Sequence, residues 1–274
     1  MEKHPNITII IANYNYGEHV GEAIDSAINQ NYSGKITVCI INDGSTGDSW
    51  DVIQNRMIDP VAEDAIKGMY EILRSTASDG RDIIAINQEN TGASIARNVG
   101  IEYCLDFTDA YCILDADDEY YNSKVKKLVE KWMYNPKEIG VVYADYNILN
   151  TKTGRILEEF KQPYNKEVLA QECIVHSNAL ISKEAFVTTR EDDGEFYDSE
   201  LHGPASGAFI GSCEDYDLWV RISEKFSITH IPECLGLAKI TGNNQSIKAN
   251  PQTFKINAEH MRKKAEDRRN AKKQ

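Results

Sequence analysis

The chain has 274 residues, which is enough for one large domain or for one domain with an appendage. Hydrophobic residues make up 41% and charged residues 27%, a balance that is ordinary for a globular protein. The net charge of −13 excludes a general binder of duplex nucleic acid, because phosphate contacts need Lys and Arg in excess.

The first half of the chain alternates between strand-like and helix-like segments. Short runs rich in branched apolar residues predict four strands that are buried on both faces. These runs are Asn6–Ala12, Ile36–Ile41, Asp82–Asn87 and Ala110–Leu114. Helical spacing of apolar residues predicts helices between and after them, as in Glu18–Gln30 and Asn122–Met133. This alternation predicts an α/β fold with a mostly parallel central sheet flanked by helices.

The second half of the chain is less regular. A strand over Gly140–Leu149 precedes Thr151–Gly154, which is typical of a hairpin turn. Val187–Cys213 is a long acidic loop of a length that is often functional, and Glu214–Phe226 is predicted to be helical. The segment Arg56–Gly80 fits the alternation poorly. It has the length of about a helix and a half, and we interpret it as an insertion between the second and third strands.

Polar segments follow each of the four predicted strands. In parallel α/β sheets, ligands bind outside the carboxyl ends of the strands. The four segments are Ala12–Tyr16, Asn42–Ser45, Gln88–Gly92 and Asp115–Asp118. We therefore expect them along one rim of the sheet, where they form the binding site.

Three carboxylates stand within four positions after the fourth predicted strand, at Asp115, Asp117 and Asp118. Such a cluster suits Mg²⁺ or Mn²⁺, hard cations that prefer oxygen ligands and often share their shell with substrate phosphates. The alternative is a solvated cluster at the start of a helix, where acidic side chains are favourable. The preceding apolar run favours the metal site, since it fixes the carboxylates at the end of a strand.

Three other polar positions have a functional and an ordinary interpretation. Asp43 precedes a glycine, and Asp-Gly is first of all a turn signal. Arg97 lies near the start of a helix, where it would meet phosphate or simply lie on the surface. Glu214 and Asp215 begin a helix, and each is a candidate general base or an N-terminal cap. The glycine motifs of dinucleotide and P-loop proteins are absent from the sequence.

Taken in order, these segments resemble the family 2 glycosyltransferases, whose fold is the nucleotide-sugar-binding GT-A type. The similar stretches are "ITIIIANYNYGEHVGEAIDSAINQNY", "CIINDGST", "NTGASIARNVGI", "ILDADD" and "CEDYDLWVR". The resemblance runs from about Asn6 to Phe226 and is densest in the first half. It implies a metal-dependent, inverting glycosyltransferase that uses a nucleotide-diphospho-sugar, expected to be a UDP-sugar, with Mn²⁺ or Mg²⁺. The implied acceptor is a glycan, a glycolipid or a surface-polysaccharide precursor.

The resemblance also implies roles for residues on the nucleotide side. The residues that would line the nucleoside pocket are Ala12, Asn13, Tyr14 and Asn15. Tyr14 would contact the base, Asp43 would accept a hydrogen bond from it, and Arg97 would approach the diphosphate. Ala12 departs from the family pattern, which has Pro or a small hydroxyl residue at that position.

The remaining implied roles belong to carboxylates. Asp115 lies in the D-x-D-D region, in which Asp117 and Asp118 would serve the ribose and the metal. Asp215 matches the catalytic base, which would take the proton from an acceptor hydroxyl as that oxygen attacks the anomeric carbon and inverts it. Near the end of the similar region, Lys239 and Thr241 replace the Arg and His that the family often carries, so no His ligand is implied there.

This resemblance divides the chain into a GT-A domain at 1–240 and a basic helical extension at 241–274. Within the domain, 1–120 would be the nucleotide-sugar-binding half and 121–240 the acceptor-binding half. From residue 260 onward seven basic side chains face two acidic ones, which leaves −18 on the rest of the chain. Clustered basic residues attract anionic lipids, so one interpretation of the extension is peripheral membrane contact. Its lack of a broad apolar face favours a solvated helix. Homo-oligomerisation is left open.

Segments and motifs that are absent from the sequence indicate the cellular compartment in which we expect this protein. No run approaches the roughly 18 apolar residues of a membrane-spanning helix, and no signal-like segment opens the chain. The six cysteines contain no C-x-x-C pair, which predicts reduced thiols rather than disulfides or a zinc site. We therefore expect a cytoplasmic protein, with peripheral contact at the inner face of the membrane as the alternative.

Other functions compete with this interpretation. A nucleotide-sugar-binding protein without turnover would keep the same pocket, and a glycosyltransferase acting on a protein or a modified nucleobase would keep the same chemistry. A nucleotidyltransferase shares the carboxylate–metal strategy but needs a basic triphosphate loop near the N-terminus. The segment Ala12–His19 contains no Lys or Arg, which disfavours that enzyme class.

Overall fold

One large β-sheet organises the part of the chain that the computed structural model describes. The described residues are 4–63, 70–191, 193–199, 213–242, 259, 261–268 and 270. The strands are β1 (Ile7–Asn13), β2 (Ile36–Asp43), β3 (Ile58–Glu63), β4 (Glu71–Thr76), β5 (Asp82–Gln88), β6 (Ala110–Ile113), β7 (Glu119–Tyr120), β8 (Ile139–Asn150), β9 (Arg155–Glu159), β10 (Leu180–Ser182) and β11 (Ser227–Ile240). The helices are α1 (Gly17–Ile28), α2 (Ser49–Gln54), α3 (Ala93–Tyr103), α4 (Lys124–Met133), α5 (Lys166–Leu169), α6 (Lys183–Thr188) and α7 (Glu214–Ser223), and residues 261–268 are also helical.

The strand order across the sheet is β3-β4-β5-β2-β1-β6-β10-β8-β11-β7, with β9 paired to β8. The central strands β5, β2, β1 and β6 are parallel, and these are the four strands that the apolar runs predicted. Outside this core, β10 is antiparallel to both neighbours, while β8 and β11 are parallel to each other. The predicted α/β fold, with a sheet that is parallel in its core, is confirmed.

Helices cover both faces of the sheet because every central strand is apolar on both sides. Apolar side chains of α1, α2 and α4 pack on one face, and those of α3, α6 and α7 pack on the other. The approach of α3 is close: a Cβ added at Gly100 would lie 2.5 Å from Ile41 Cδ1. A larger residue at position 100 would therefore push the C-terminal half of α3 away from Ile41 of β2 and Ile10 of β1.

The segment Arg56–Gly80 differs from the prediction. Its described residues form β3 and β4, an antiparallel pair that extends the sheet beyond β5, and not the predicted helical length. Ile72 and Leu73 of β4 are buried, whereas most of β3 is exposed. The pair forms because β5 offers a free edge, a tertiary condition that local spacing does not reveal. Residues 64–69 lie outside the described part.

Two further expectations concern the second half. The turn at Thr151–Gly154 is confirmed, because it joins β8 to β9 and Gly154 takes a positive φ of 68°. The predicted loop Val187–Cys213 begins inside α6, and residues 192 and 200–212 lie outside the described part. Among the residues described, no helix has the length and apolar character to cross a membrane. The domain boundaries at 120 and 240 remain predictions.

Candidate active site

Three asparagine side chains on neighbouring strands are linked by hydrogen bonds at the carboxyl ends of the central strands. Asn13, Asn42 and Asn87 are register partners on β1, β2 and β5. Asn13 Nδ2 donates to Asn42 Oδ1 over 3.0 Å, and Asn42 Nδ2 donates to Asn87 Oδ1 over 2.8 Å. The Asn13 Oδ1 atom is buried and has no hydrogen-bond partner within the described residues. Because a buried acceptor without a partner is costly, this atom is suited to a ligand's N–H or O–H.

The predicted nucleoside segments Ala12–Asn15 and Asp43–Ser45 are joined by hydrogen bonds. The Asn15 N–H donates to Ser45 Oγ over 2.9 Å, and the Thr46 N–H donates to Asn15 Oδ1 over 2.8 Å. Asn15 adopts a left-handed φ of 58°, which Asn tolerates better than most residues. The Tyr14 ring is 43% exposed beside them, so it is free to meet a ligand at the rim.

Asp43 is buried, and its carboxylate accepts hydrogen bonds from the end of β5 and from the loop between β5 and α3. Its Oδ1 atom accepts from Gln88 Nε2 over 2.7 Å and from the Thr91 N–H over 2.9 Å. Its Oδ2 atom accepts from the Gly92 N–H over 2.9 Å. The carboxylate therefore holds the start of α3 against β2. Its contact with a base remains a prediction.

The acidic cluster lies in the turn between β6 and β7. Asp117 is 8% and Asp118 is 6% exposed. Asp118 accepts from Asn178 Nδ2 over 2.8 Å and from the Lys239 N–H over 3.0 Å. The Tyr16 hydroxyl hydrogen-bonds Asp117. Side chains and backbone from three distant segments therefore orient the two carboxylates for which the resemblance implies metal binding.

These two carboxylates are costly to ionise without a cation. Burial raises the pKa of Asp117 to about 6, and the negative charge of Asp115 adds to this shift. Burial, together with Asp115 and Asp117, also raises the pKa of Asp118 well above its usual value. A cation would offset both the lost hydration and the mutual repulsion. With oxygen donors alone, the residues present fit a hard divalent cation such as Mg²⁺ or Mn²⁺.

Asp115 points to the opposite side of the cluster, where Arg97 is almost fully buried. Arg97 Nη2 lies 3.0 Å from Asp115 Oδ1, and Arg97 Nη1 lies 3.2 Å from Glu214 Oε1 and 4.0 Å from Asp215 Oδ1. Ser177 Oγ donates to Asp115 Oδ2 over 2.9 Å. Burial acts to lower the pKa of Arg97, but its acidic neighbours raise it above the usual value. Arg97 thus joins the cluster to α7, and its contact with a diphosphate remains a prediction.

Glu214 and Asp215 both lie in the first turn of α7, but only one is open to solvent. The Glu214 side chain is 3% exposed and accepts from Arg97, whereas the Asp215 side chain is 21% exposed. A general base must reach its substrate, so the geometry favours Asp215 over Glu214. Asp215 is the residue that the resemblance implies as the catalytic base, a role that remains a prediction.

Sequence reasoning missed the supports of the acidic cluster. Ser177 and Asn178 precede β10, which lies between β6 and β8 only because of the sheet topology. Lys239 contributes its backbone N–H, a contact that no side-chain pattern could have indicated. The preceding residue, His176, is packed beside these supports: its Nδ1 accepts from the Asn178 N–H over 3.1 Å, and its ring centroid lies 4.0 Å from that of Tyr146.

A sequence model of the family described as Glycosyl transferase family 2 matches residues 8–188. The chain is 24% identical over 249 residues to a chondroitin synthase of Escherichia coli, covering 90% of this chain and 31% of that protein. It is 25% identical over 247 residues to a hyaluronan synthase of Pasteurella multocida, covering 89% of this chain and 21% of that protein. The chain therefore spans less than a third of the length of these relatives.

Two solved structures share the fold. TarS 1–349 of S. aureus in complex with UDP-GlcNAc has a TM-score of 0.63 at 13% identity, covering 92% of this chain and 64% of that chain. The mannosyltransferase PcManGT of Pyrobaculum calidifontis in complex with GDP-Man and Mn²⁺ has a TM-score of 0.58 at 15% identity, covering 94% of this chain and 69% of that chain. These similarities confirm the predicted GT-A architecture.

Proposed function

The chain belongs to glycosyl transferase family 2, and from that membership we propose that it is a metal-dependent, inverting enzyme using a UDP-sugar. One observation carries the proposal: Arg97 ties the buried acidic cluster to the helix that presents Asp215. The cluster and a solvent-accessible carboxylate therefore lie on two sides of one guanidinium. This is the arrangement that sugar transfer needs, since a leaving group departs on one side while a base acts on the other.

The donor would bind at the rim of the sheet. Asn13, Tyr14 and Asp43 would contact the nucleoside, and the Asn13 Oδ1 atom, which has no hydrogen-bond partner among the described residues, would accept a hydrogen bond from it. Asp117 and Asp118 would hold Mn²⁺ or Mg²⁺, which neutralises the diphosphate and stabilises it as a leaving group. The complexes of the two structural neighbours, one with UDP-GlcNAc and the other with GDP-Man and Mn²⁺, support a nucleotide-sugar donor and a metal.

Transfer would be a single displacement at the anomeric carbon. An acceptor hydroxyl oxygen forms the new bond to that carbon, its proton passes to Asp215, and the bond to the diphosphate oxygen breaks with its electron pair. Attack opposite the leaving group inverts the configuration. A glycosidase needs two carboxylates that flank the scissile bond, whereas this reaction needs one base, because the nucleotide departs as a stabilised anion.

The acceptor is proposed to be a glycan, a glycolipid or a surface-polysaccharide precursor. Support comes from the relatives named as chondroitin and hyaluronan synthases, both named for polysaccharide products. The matched region is a minor part of those proteins, so their full activity is not carried over to this chain.

A thermal-shift panel of nucleotide sugars tests the proposal. We expect UDP-sugars to raise the melting temperature in Mn²⁺ and to do so only weakly without it, because ligand binding to the folded state stabilises it. Other nucleotide sugars serve as the comparison. The best donor is then assayed for hydrolysis and transfer. Absence of both reactions with every sugar nucleotide, in Mn²⁺ and in Mg²⁺, would overturn the enzymatic proposal.

A further inference from the structure

A second charged cluster packs against α7 and consists of residues other than those proposed to bind the donor. Three carboxylates, those of Glu191, Asp198 and Asp217, have oxygen atoms within 4.8 Å of one another. Three cations face them. The cations are Arg221, Lys264 and Arg268. Asp217 is fully buried, and Asp198 and Arg221 are each 4% exposed, so this is an internal network and not a surface patch.

The contacts connect all six side chains. Arg221 Nε lies 2.6 Å from Asp217 Oδ2 and 3.0 Å from Glu191 Oε1. Arg268 Nη2 lies 3.2 Å from Asp217 Oδ1, and its Nη1 lies 3.3 Å from Glu191 Oε1. Lys264 pairs with Asp198, and its Nζ lies 3.8 Å from Glu191 Oε1. Every carboxylate therefore has at least one cationic partner.

This balance argues against a metal at the second cluster. Among the residues that the structure describes, three negative charges already meet three positive ones, so a divalent cation would leave an excess of positive charge. Burial acts to raise the pKa of Asp217, but Arg221 and Arg268 hold that pKa below its usual value. The contrast with Asp117 is direct, because burial and a neighbouring carboxylate raise the pKa of Asp117 instead.

Two of the three cations come from the C-terminal helical segment, residues 261–268. That segment also packs through Met261 and Ala265, which are 1% and 2% exposed. Without Lys264 and Arg268, Asp217 and Glu191 would share Arg221, and Asp198 would lose its ion pair with Lys264. Removing one side of a buried ion pair is strongly destabilising, since the remaining charge has lost its hydration.

The network is connected to the active site by two routes. Asp217 lies two residues after Asp215 in the same first turn of α7, and its N–H is bonded to the Cys213 carbonyl over 2.9 Å. Arg221 also donates to the Phe196 carbonyl over 2.7 Å.

The next residue, Tyr197, continues the second route. Its N–H and carbonyl are both hydrogen-bonded to Asn98 over 2.8 Å. Arg97 is adjacent to Asn98 in α3, and its guanidinium lies 5.4 Å from the centroid of the Tyr197 ring. The network therefore reaches both the helix of the base and the arginine at the centre of the site.

From this geometry we infer that the C-terminal helix is a positioning element of the active site. Lys264 and Arg268 hold α7 and the segment at 189–198, and thereby set Asp215 against Arg97. The catalytic part of this inference rests on the proposed function, whereas the positional part does not. Lys264 and Arg268 are engaged by the protein, so they are not the residues of this helix that would meet a lipid surface.

Hydrogen–deuterium exchange tests the positional part in the 274-residue chain. The test variant is Arg268→Gln, and the matched control is Lys263→Gln, which removes a charge from the exposed side of the same helix. We expect amides of 213–223 and 189–199 to exchange roughly fivefold faster in Arg268→Gln and at the wild-type rate in Lys263→Gln. Equal protection in wild type and Arg268→Gln would overturn the inference.

A charge exchange keeps the test decisive if Arg268→Gln fails to fold. Lys264→Glu alone places a fourth carboxylate in the network, and Lys264→Glu with Asp198→Lys restores the opposite charges. With the donor found in the thermal-shift panel, we expect kcat to fall roughly 3- to 10-fold in Lys264→Glu, with donor KM unchanged.

The double variant is expected to recover most of the lost kcat. A single variant with wild-type kcat, or a raised donor KM with kcat unchanged, would contradict the positioning role. Absence of turnover in the wild-type chain would overturn the proposed function alone. The hydrogen–deuterium exchange experiment would still decide whether the C-terminal helix holds α7.

Discussion

The Arg97 guanidinium donates to the Asp115 carboxylate over 3.0 Å, deep in a site where the arginine side chain is only 9% exposed. Its other terminal nitrogen donates to Glu214 on α7. One side chain of α3 therefore joins the acidic cluster at the end of β6 to the helix of the candidate base. We expect the geometry of the whole site to depend on this residue, because its guanidinium contacts a carboxylate of the acidic cluster and a carboxylate of α7 at the same time.

Replacing Arg97 tests this dependence. Arg97→Gln keeps a donor but removes the positive charge from the buried ion pair with Glu214. We expect the free energy of unfolding to fall by about 3 kcal/mol, as when one partner of a buried ion pair is removed. Urea unfolding measures the change. The control is Arg74→Gln, because the side chains of Arg74 and its partner Glu63 are 43% and 37% exposed, and a loss of about 1 kcal/mol or less is expected there. Equal losses would contradict the account.

Asn178 is expected to act on metal affinity without touching the metal. Its Nδ2 atom orients Asp118 over 2.8 Å, and its Oδ1 atom accepts from the Asp115 N–H over 3.3 Å. We expect Asn178→Ala to weaken Mn²⁺ binding, titrated in the presence of UDP, by about tenfold, since such outer partners commonly contribute that much. Asn165→Ala, at the N-cap of α5, is the control and should leave Mn²⁺ affinity unchanged. An unchanged affinity in Asn178→Ala would remove this supporting role.

Gly44 shapes the turn that follows β2, next to the proposed nucleoside site. Its φ is 69°, and an added Cβ would lie 2.5 Å from the Asn90 backbone nitrogen. We expect Gly44→Ala to cost at least about 1–2 kcal/mol and to weaken UDP binding, because both the left-handed backbone and the close contact oppose a side chain. Gly47→Ala, where no heavy atom lies within 4 Å of the added Cβ, should preserve both. Equal UDP affinities of Gly44→Ala and Gly47→Ala would show that the turn accepts a side chain at position 44, contrary to this prediction.

The buried Lys124 side chain should make the stability of the fold depend on pH. Its side chain is buried, with Nζ 4.1 Å from the centroid of the Tyr120 ring. Burial lowers the pKa of Lys124 from 10.5 to about 8. Between these values the unfolded chain binds more protons than the folded one, so the free energy of unfolding should rise as pH increases from 8 to 10.5.

Lys124→Met removes this titration. We expect wild type to gain about 1–3 kcal/mol relative to Lys124→Met between pH 8 and pH 10.5, measured by urea unfolding at both ends of the window. Other groups titrate in both proteins and cancel in the difference. Parallel stability profiles for the two proteins would mean that Lys124 keeps its ordinary pKa in the folded state.

The sequence predicted those strands and helices whose own residues show a continuous apolar run or apolar residues at helical spacing. The strands β1, β2, β5 and β6 are continuous apolar runs, and α1 and α4 have apolar residues at helical spacing. Each pattern fits one environment, a strand covered on both faces or a helix covered on one. The polar segments after those strands accordingly lie at one rim, as expected.

The remaining features depend on contacts between distant segments. The β3–β4 pair needs the free edge of β5, and Asn178 reaches Asp118 only because β10 lies beside β6. The approach of the Lys239 N–H to Asp118 is a backbone contact across 121 positions of the chain. No window of local sequence contains such information, because the partners meet only after the sheet has formed.

The most direct test compares wild type with Asp215→Asn, using the donor identified by thermal shift. The account predicts that transfer falls by about 10²- to 10⁴-fold, the usual contribution of a positioned general base, while UDP binding in Mn²⁺ is unchanged. Asp51→Asn, on the exposed face of α2, should retain wild-type transfer. Transfer at the wild-type rate in Asp215→Asn would contradict the assignment of the base and, with it, the mechanism proposed for this chain.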